Sequence, residues 1–530
     1  MKKLILLPLY LLLVFVLPAQ QRFTLRLVPS TLTSAPAVHS GAFGEYNGKW
    51  FFIGGRKNGI HGFQPPFAFP TSGVNSNIYI VDPATDQSWS ADAFTLSDSI
   101  REPITSSNME FYLNDTMLYM VGGYGWKDAI ENFVTWPTLT AINMKGLMQA
   151  VISGAPIESY FRQYTDTTLA ICGAHLQKMD STYYLVFGHR FDGYYDRSDT
   201  TGFFRQEYSH EIRKFQIADD GSTLGIYNYR AVRDTANFRR RDYNLVPFYD
   251  AFRGEGLLAY SGVFRKEANL PYFTPIEIFK DTFYIRNDFN QNLSQYHSAV
   301  CNLYDSTSFL QHTLFFGGMS MYYMDTLTNT TVTDSLVPFV QTISDVARDI
   351  DTKYHEIDAG IHMPALLGTN AYFFNELNIP ITRKHFIHLN KLPHHQRLGY
   401  IVGGIESPEL NISGTDPSLS FASARVFEVY LDTIEVPNVI NEVSNAVLNY
   451  YCYPNPTTGK VQLEFELTQP QAVTIELLDM KGALVKQVCN QPFGAGKQKL
   501  PLNIGDIAKG VYNCVITVNN SRKSIRLQLE

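Results

Sequence analysis

The chain has 530 residues, of which 18% are charged and 14% aromatic, and a formal net charge of −7. A mild acidic excess gives no footing for a nucleic-acid partner. Five cysteines (Cys172, Cys301, Cys452, Cys489 and Cys514) are few and odd in number. A large apolar core must therefore carry stability without a disulfide framework. Cys489 with Cys514 is the pair to test first, with buried free thiols as the equal alternative.

At the N-terminus, Lys2 and Lys3 precede an apolar run from Leu4 to Leu17, followed by Pro18-Ala19-Gln20. A basic start, a short apolar stretch and a small residue at the break predict a secretory signal peptide over 1–19. The run is too short for a comfortable membrane span, and no later segment is apolar for long enough. Tyr and Phe are abundant and Trp scarce, which favours strands.

From residue 20 to 432 one pattern recurs: an apolar strand running into one or two glycines. It appears at Lys49–Gly55, Met117–Gly123, Tyr183–Gly188, Leu257–Gly262, Thr313–Gly318 and Leu398–Gly404. A shorter strand precedes most of these segments, with His385 to Leu389 taken as that strand in the last unit. The order strand, turn, strand-Gly-Gly, loop, strand resembles the kelch repeat and implies a β-propeller, read here with six blades. The interval averages about 70 residues against roughly 50 for a kelch blade, so the excess is assigned to long loops. Arg22–Val28 is a strand without a local partner and is expected to complete the last blade beside Ala424–Asp432.

Polar residues open the inner strands: His39-Ser40, Ser107-Asn108, His175, His297-Ser298 and His385. In a propeller such positions lie near the central channel, where they either converge on a ligand or bond backbone between blades. Arg190 and Arg253 join them as ligand-binding candidates, with Glu255 and Glu376 as carboxylates for an enzymatic reading. Tyrosine-rich stretches, Phe191–Tyr195 and Met321–Tyr323, are suited to stacking on sugars. His385, His388, His394 and His395 lack the spacing to share one ion, so no metal or other cofactor is expected. Ser344–Asp351 with Lys353–Glu356 reads as a charged surface loop between blades, with a binding loop over the channel mouth as the alternative. Asp-Ser and Asp-Thr dipeptides recur, which turns explain, and several are similar to the O-glycosylation acceptor of Bacteroidetes.

Residues 433–450 read as a linker. Beyond it, Lys460–Leu467 alternates without fault, and Gln471–Leu477, Tyr512–Val518 and Ser524–Leu529 follow as strands of a small antiparallel sandwich. The opening Tyr453-Pro454-Asn455-Pro456 with Gly459, and the Gly510-Val511-Tyr512 step, resemble the C-terminal sorting domain (type A) of Bacteroidetes type IX secretion substrates. The resemblance covers 451–530. It implies engagement of the type IX machinery, passage through the outer membrane, and a secreted or surface location. The whole chain thus reads as all-β: a kelch-like propeller that binds a protein or glycan, then an export tail. The alternative is a kelch-type carbohydrate-active enzyme, either an oxidase or a sialate epimerase-like isomerase.

Overall fold

The computed structural model describes residues 23–433 and 447–530, apart from 64, 66, 197–203, 269, 326, 329, 383–385, 413–418, 480–481 and 519–520. The expected signal peptide, His385 and most of the expected linker lie outside the described residues. The chain divides into two compact units, Met1–Ile434 and Glu435–Glu530. It is all-β, with 55% strand and 8% helix.

The larger unit is built mainly on six sheets, each with a core of four antiparallel strands. The first holds Ala42–Tyr46, Lys49–Ile53, Asn77–Asp82 and Gln87–Asp92. The second holds Glu110–Asn114, Met117–Val121, Thr138–Asn143 and Phe161–Thr165. The third runs His175–Met179, Thr182–Val186, Glu211–Asp219 and Leu224–Arg233, and the fourth Asn244–Asp250, Gly254–Tyr260, Ile276–Ile278 and Phe283–Ile285. The fifth is Ala299–Asp305, Leu310–Phe316, Thr342–Arg348 and Tyr354–His362. The sixth takes three strands from its own stretch, Leu366–Asn375, His395–Ser407 and Val426–Thr433, and its outer strand from the start of the unit. Phe23–Pro29 pairs antiparallel with Val426–Thr433, Phe23 opposite Thr433 and Leu25 opposite Leu431.

Each strand–glycine segment is the second strand of one sheet, and its alternating side chains fill the layers on either side. Phe51 and Ile53 of the first sheet pack with Leu118 and Met120 of the second. Val121 of the second meets Leu176 and Leu185 of the third. Comparable layers join third to fourth, fourth to fifth and fifth to sixth. The sixth then packs on the first, Phe374 stacking on Trp50 at 4.6 Å. The glycines sit where neighbouring sheets touch. Gly122 (φ +69°) presses against the second-to-third boundary, and a Cβ there would stand 2.0 Å from the Ile171 carbonyl oxygen. Only a residue with no side chain and a free choice of φ fits.

Two expectations need correction. His385 to Leu389 does not supply the inner strand of the sixth sheet. That strand is Leu366–Asn375, while Ile387–His388 joins the fifth sheet in parallel beside Leu303 and Tyr304. The charged stretch 344–356 is not a surface loop: Ser344, Asp345 and Arg348 are buried within the fifth sheet. Their charges are matched from other strands. His312 Nδ1 lies 2.7 Å from Asp345, and Arg348 bonds Asp250 at 2.6 Å and Glu277 at 2.9 Å.

Several recurring aspartates act as turn formers. Asp166, Asp234, Asp305, Asp325 and Asp334 each accept a bond from the backbone N–H two residues on, which the short carboxylate reaches without strain. All five cysteines are free thiols, so Cys489 and Cys514 are not paired.

The smaller unit is a sandwich of a three-stranded sheet (Val447–Tyr453, Lys460–Leu467, Gly496–Asn503) and a four-stranded one (Leu484–Phe493, Gln471–Leu478, Gly510–Val518, Ser521–Leu529). The alternation in Lys460–Leu467 is realised as Val461, Leu463, Phe465 and Leu467 inward against Val473, Ile475 and Ile516. The Tyr-Pro-Asn-Pro segment is fastened to the last strand. Asn455 donates to the Arg526 carbonyl at 2.7 Å and accepts from Gln528 N–H at 2.9 Å. Gly459 is required because a Cβ there would fall 2.6 Å from Gly505 Cα.

Candidate functional site

The inner strand of each of the six sheets has a residue in the left-handed region, just before it in the first five (Ser40, Asn108, Gly173, Asp242, His297) and within it in the sixth (Asn370), with φ between 50° and 62°. Side chains tolerate this conformation poorly, and polar residues or glycine carry it most readily. These positions are tied in series by backbone bonds. Asn108 N–H donates to Ser40 C=O at 2.8 Å, Gly173 to Asn108 and Asp242 to Gly173 at 3.1 Å each, and Asn370 to His297 at 2.6 Å. The residue just before each of the first five forms a backbone bridge with the residue that follows the glycines: His39 with Arg56, Ser107 with Tyr124, Cys172 with His189, Arg241 with Val263 and Tyr296 with Met319.

Long insertions separate the second and third strands of the sheets: 54–76, 122–137, 187–210, 261–275, 317–341 and 408–425. They account for the long repeat. Three contain hairpins of their own: Tyr124–Lys127 with Asn132–Thr135, His189–Asp192 with Arg205–Tyr208, and Tyr322–Asp325 with Thr330–Thr333. Insertions and left-handed residues together enclose a cavity of about 580 Å³, within the range of small-ligand sites.

The first insertion gives the cavity Arg56, His61 and Phe69; the third gives Tyr195, Phe204, Gln206 and Tyr208; the fourth gives Phe264. Arg239, Arg241 and Asp242 enter from the start of the fourth sheet, His297 and Tyr296 from the fifth. Arg56 bonds Asn58 Oδ1 at 2.9 Å and the Pro70 carbonyl at 2.6 Å. Burial brings its guanidinium down to a pKa of about 10. Arg239 bonds the Phe264 carbonyl and lies 4.1 Å over the Tyr208 ring. Arg241 stands 3.3 Å from Asp242, and its Nε has no hydrogen-bond partner among the described residues. Burial opposes the Asp242 charge, yet Arg241 and then His297, 3.4 Å away, hold the carboxyl below the usual carboxylate range.

The histidines are neutral at pH 7 because burial penalises their charge. His39 is lowered to about 3 and His61 to about 4, and His297 is lowered by burial against the pull of Asp242. His39 Nε2 bonds the Asn58 carbonyl at 2.7 Å, so it carries the proton and leaves Nδ1 to accept from Ser40 Oγ at 2.9 Å. His61 stacks on Phe69 at 4.3 Å.

Of the residues singled out in the sequence, His39, Ser40, Asn108, Tyr195 and His297 line the cavity. Ser107 and His175 are committed to backbone, Ser107 Oγ to Tyr124 C=O at 3.3 Å and His175 Nε2 to Tyr243 C=O at 2.7 Å. Arg190 is drawn away by Asp192 at 2.6 Å. Arg253 stands at the far turn of the fourth sheet, 3.7 Å from Asp250 and 4.6 Å above Tyr284. Glu376 pairs with Arg397, and Glu255 lies opposite Tyr249 in the fourth sheet. His385 is outside the described residues. The sequence reading passed over Arg56, His61, Arg239, Arg241, Asp242 and Tyr208. A signal existed for some: Arg56 directly follows a glycine pair, and Arg241-Asp242 holds in the fourth unit the place of His39-Ser40 in the first.

Among the described residues, one group has carboxylates close enough to share an ion: Asp98, Glu102 and Asp128. Arg101 already spans it, 2.9 Å from Asp98 and 2.5 Å from Asp128.

Residues 451–530 match the family model of the secretion system C-terminal sorting domain, which supports export through the type IX machinery and a secreted or cell-surface location. Among the described residues no helix is long and apolar enough to cross a membrane. No curated protein matches the chain. Among solved structures, YjhT is similar at 8% identity, covering 77% of this chain and 98% of its own, with a TM-score of 0.40. A fungal alcohol oxidase of the AA5 family in complex with copper is similar at 8% identity, covering 95% and 98%, with a TM-score of 0.37. Likenesses this distant carry no inference about ligand or activity.

Proposed function

We propose that the protein is a six-bladed, kelch-like β-propeller that binds a glycan in its central cavity, delivered to the cell surface or the medium by its sorting tail. In this reading residues 1–19 are a signal peptide, 20–432 the propeller, 433–450 a linker and 451–530 the sorting domain. The blades are the six four-stranded sheets, closed by the pairing of Phe23–Pro29 with Val426–Thr433.

One observation carries the binding role: insertions from separate sheets converge on one cavity whose wall alternates aromatic faces with hydrogen-bonding groups. Sugars have apolar C–H faces and hydroxyl rims, and such a wall answers both. The enzymatic alternative asks for an acid and a base facing one substrate. The described wall holds one carboxylate, Asp242, already engaged by Arg241 and His297. A glycan screen on the secreted full-length protein tests the role. Glycan binding that is lost in Tyr208→Ala supports it. Binding only to proteins, unaffected by Tyr208→Ala, rejects the cavity as the site.

A further inference from the structure

The cavity wall is unbalanced in charge. Among the described residues it presents three guanidinium groups (Arg56, Arg239 and Arg241) against the single carboxylate of Asp242. The histidines add no charge at pH 7, since burial lowers their pKa values. Neither Arg56 nor Arg239 meets a carboxylate among the described residues: their partners are an amide oxygen, backbone carbonyls and aromatic rings. Arg241 shares Asp242 with His297 and keeps a buried Nε with no acceptor among the described residues. Arg56, His61 and Arg241 line the same wall.

Burying guanidinium groups without counter-charge is costly, and protein interiors ordinarily match them. Here the match is missing on the side that faces the cavity. A planar guanidinium with open N–H groups is the preferred seat for a carboxylate or sulfate. We infer that the cavity takes an acidic sugar, its carboxylate or sulfate facing Arg56, Arg239 and Arg241 while the ring stacks on Tyr195, Phe204 or Tyr208. This rests on the sugar-binding reading above and names the ligand class.

Isothermal titration of the full-length secreted protein with D-glucuronate, D-glucose 6-sulfate and D-glucose tests it. At least one charged sugar is expected to bind about tenfold or more tightly than glucose, because each charge-assisted bond outweighs its neutral counterpart. Raising the ionic strength weakens the charged sugar and spares glucose. Arg241→Met and Arg239→Met each remove about tenfold of the charged sugar's affinity and lower that of glucose less, with circular dichroism confirming the fold. Preference for glucuronate over the sulfate identifies a carboxylate seat, and the reverse a sulfate seat. Equal affinity for glucose overturns the acidic class and leaves the sugar site standing. Charged-sugar binding that survives both substitutions overturns the assignment of the seat. No binding of either charged sugar overturns the inference, while the glycan screen with Tyr208→Ala decides the broader reading independently.

Discussion

Replacing Gly317 by alanine tests whether neighbouring sheets are held at a backbone-limited distance. Gly317 has φ +62°, and a Cβ would lie 1.9 Å from the Leu367 carbonyl oxygen and 3.1 Å from Met363 Cγ. The left-handed conformation alone costs an alanine about 1–2 kcal/mol. The contact with Leu367 is backbone, so no rotamer relieves it. The fifth and sixth sheets must part, at an overpacking cost of about 1–3 kcal/mol. Gly154 is the internal control: its φ is +70°, and nothing lies within 4 Å of its Cβ position. Gly154→Ala should therefore lose only the conformational part. Urea unfolding followed by tryptophan fluorescence is the assay, since all four tryptophans, Trp50, Trp89, Trp126 and Trp136, belong to the larger unit. Gly317→Ala should be the less stable variant by about 1–3 kcal/mol. Equal losses in the two variants would refute the close-approach argument.

Three further outcomes are expected. Arg348→Ala leaves Asp250 and Glu277 buried without their cation and should cost about 3–5 kcal/mol in the same unfolding assay; a loss under about 1 kcal/mol would show the carboxylates finding other partners. His61 and His175 titrate near 4 in the fold against about 6.5 when unfolded. Between those values the unfolded chain binds more protons, so their contribution is complete above pH 6.5 and declines as pH falls toward 4. Glu356, raised to about 7 by burial, works in the opposite sense, so the comparison is with His61→Gln, whose stability should fall less steeply over that window. Deleting 451–530 should leave the tryptophan-monitored transition in place while the protein stays within the cell envelope on fractionation; a shifted transition would mean the units stabilise one another.

Much of this architecture was legible because local chemistry and tertiary role agreed. Val461, Leu463, Phe465 and Leu467 alternate in sequence and are buried together. The glycine pairs were visible because backbone crowding leaves no substitute, and Arg22–Val28 stood out as a strand lacking a partner. The failures share a cause. Ser344–Asp351 with Lys353–Glu356 reads as a surface loop because Asp345 and Arg348 find their counter-charges on His312, Asp250 and Glu277, residues distant in sequence. The inner strand of the sixth sheet carries Gly368 and Asn370, which interrupt its pattern, so the apolar run near His385 looked the better candidate. The cavity was hidden for a related reason: Arg56, Arg239 and Arg241 come from two remote stretches, and only the fold aims them at a common space.

The pairing of Phe23–Pro29 with Val426–Thr433 makes a strand from the start of the larger unit wait for one near its end. Until Val426–Thr433 has been synthesised, Phe23 and Leu25 have no place to hide their side chains, and the sixth sheet keeps a raw edge. A contact spanning some four hundred residues is slow to find. The sixth sheet therefore stays one strand short until both ends of the stretch are free, even where the other sheets, whose strands come from their own stretches, have already formed.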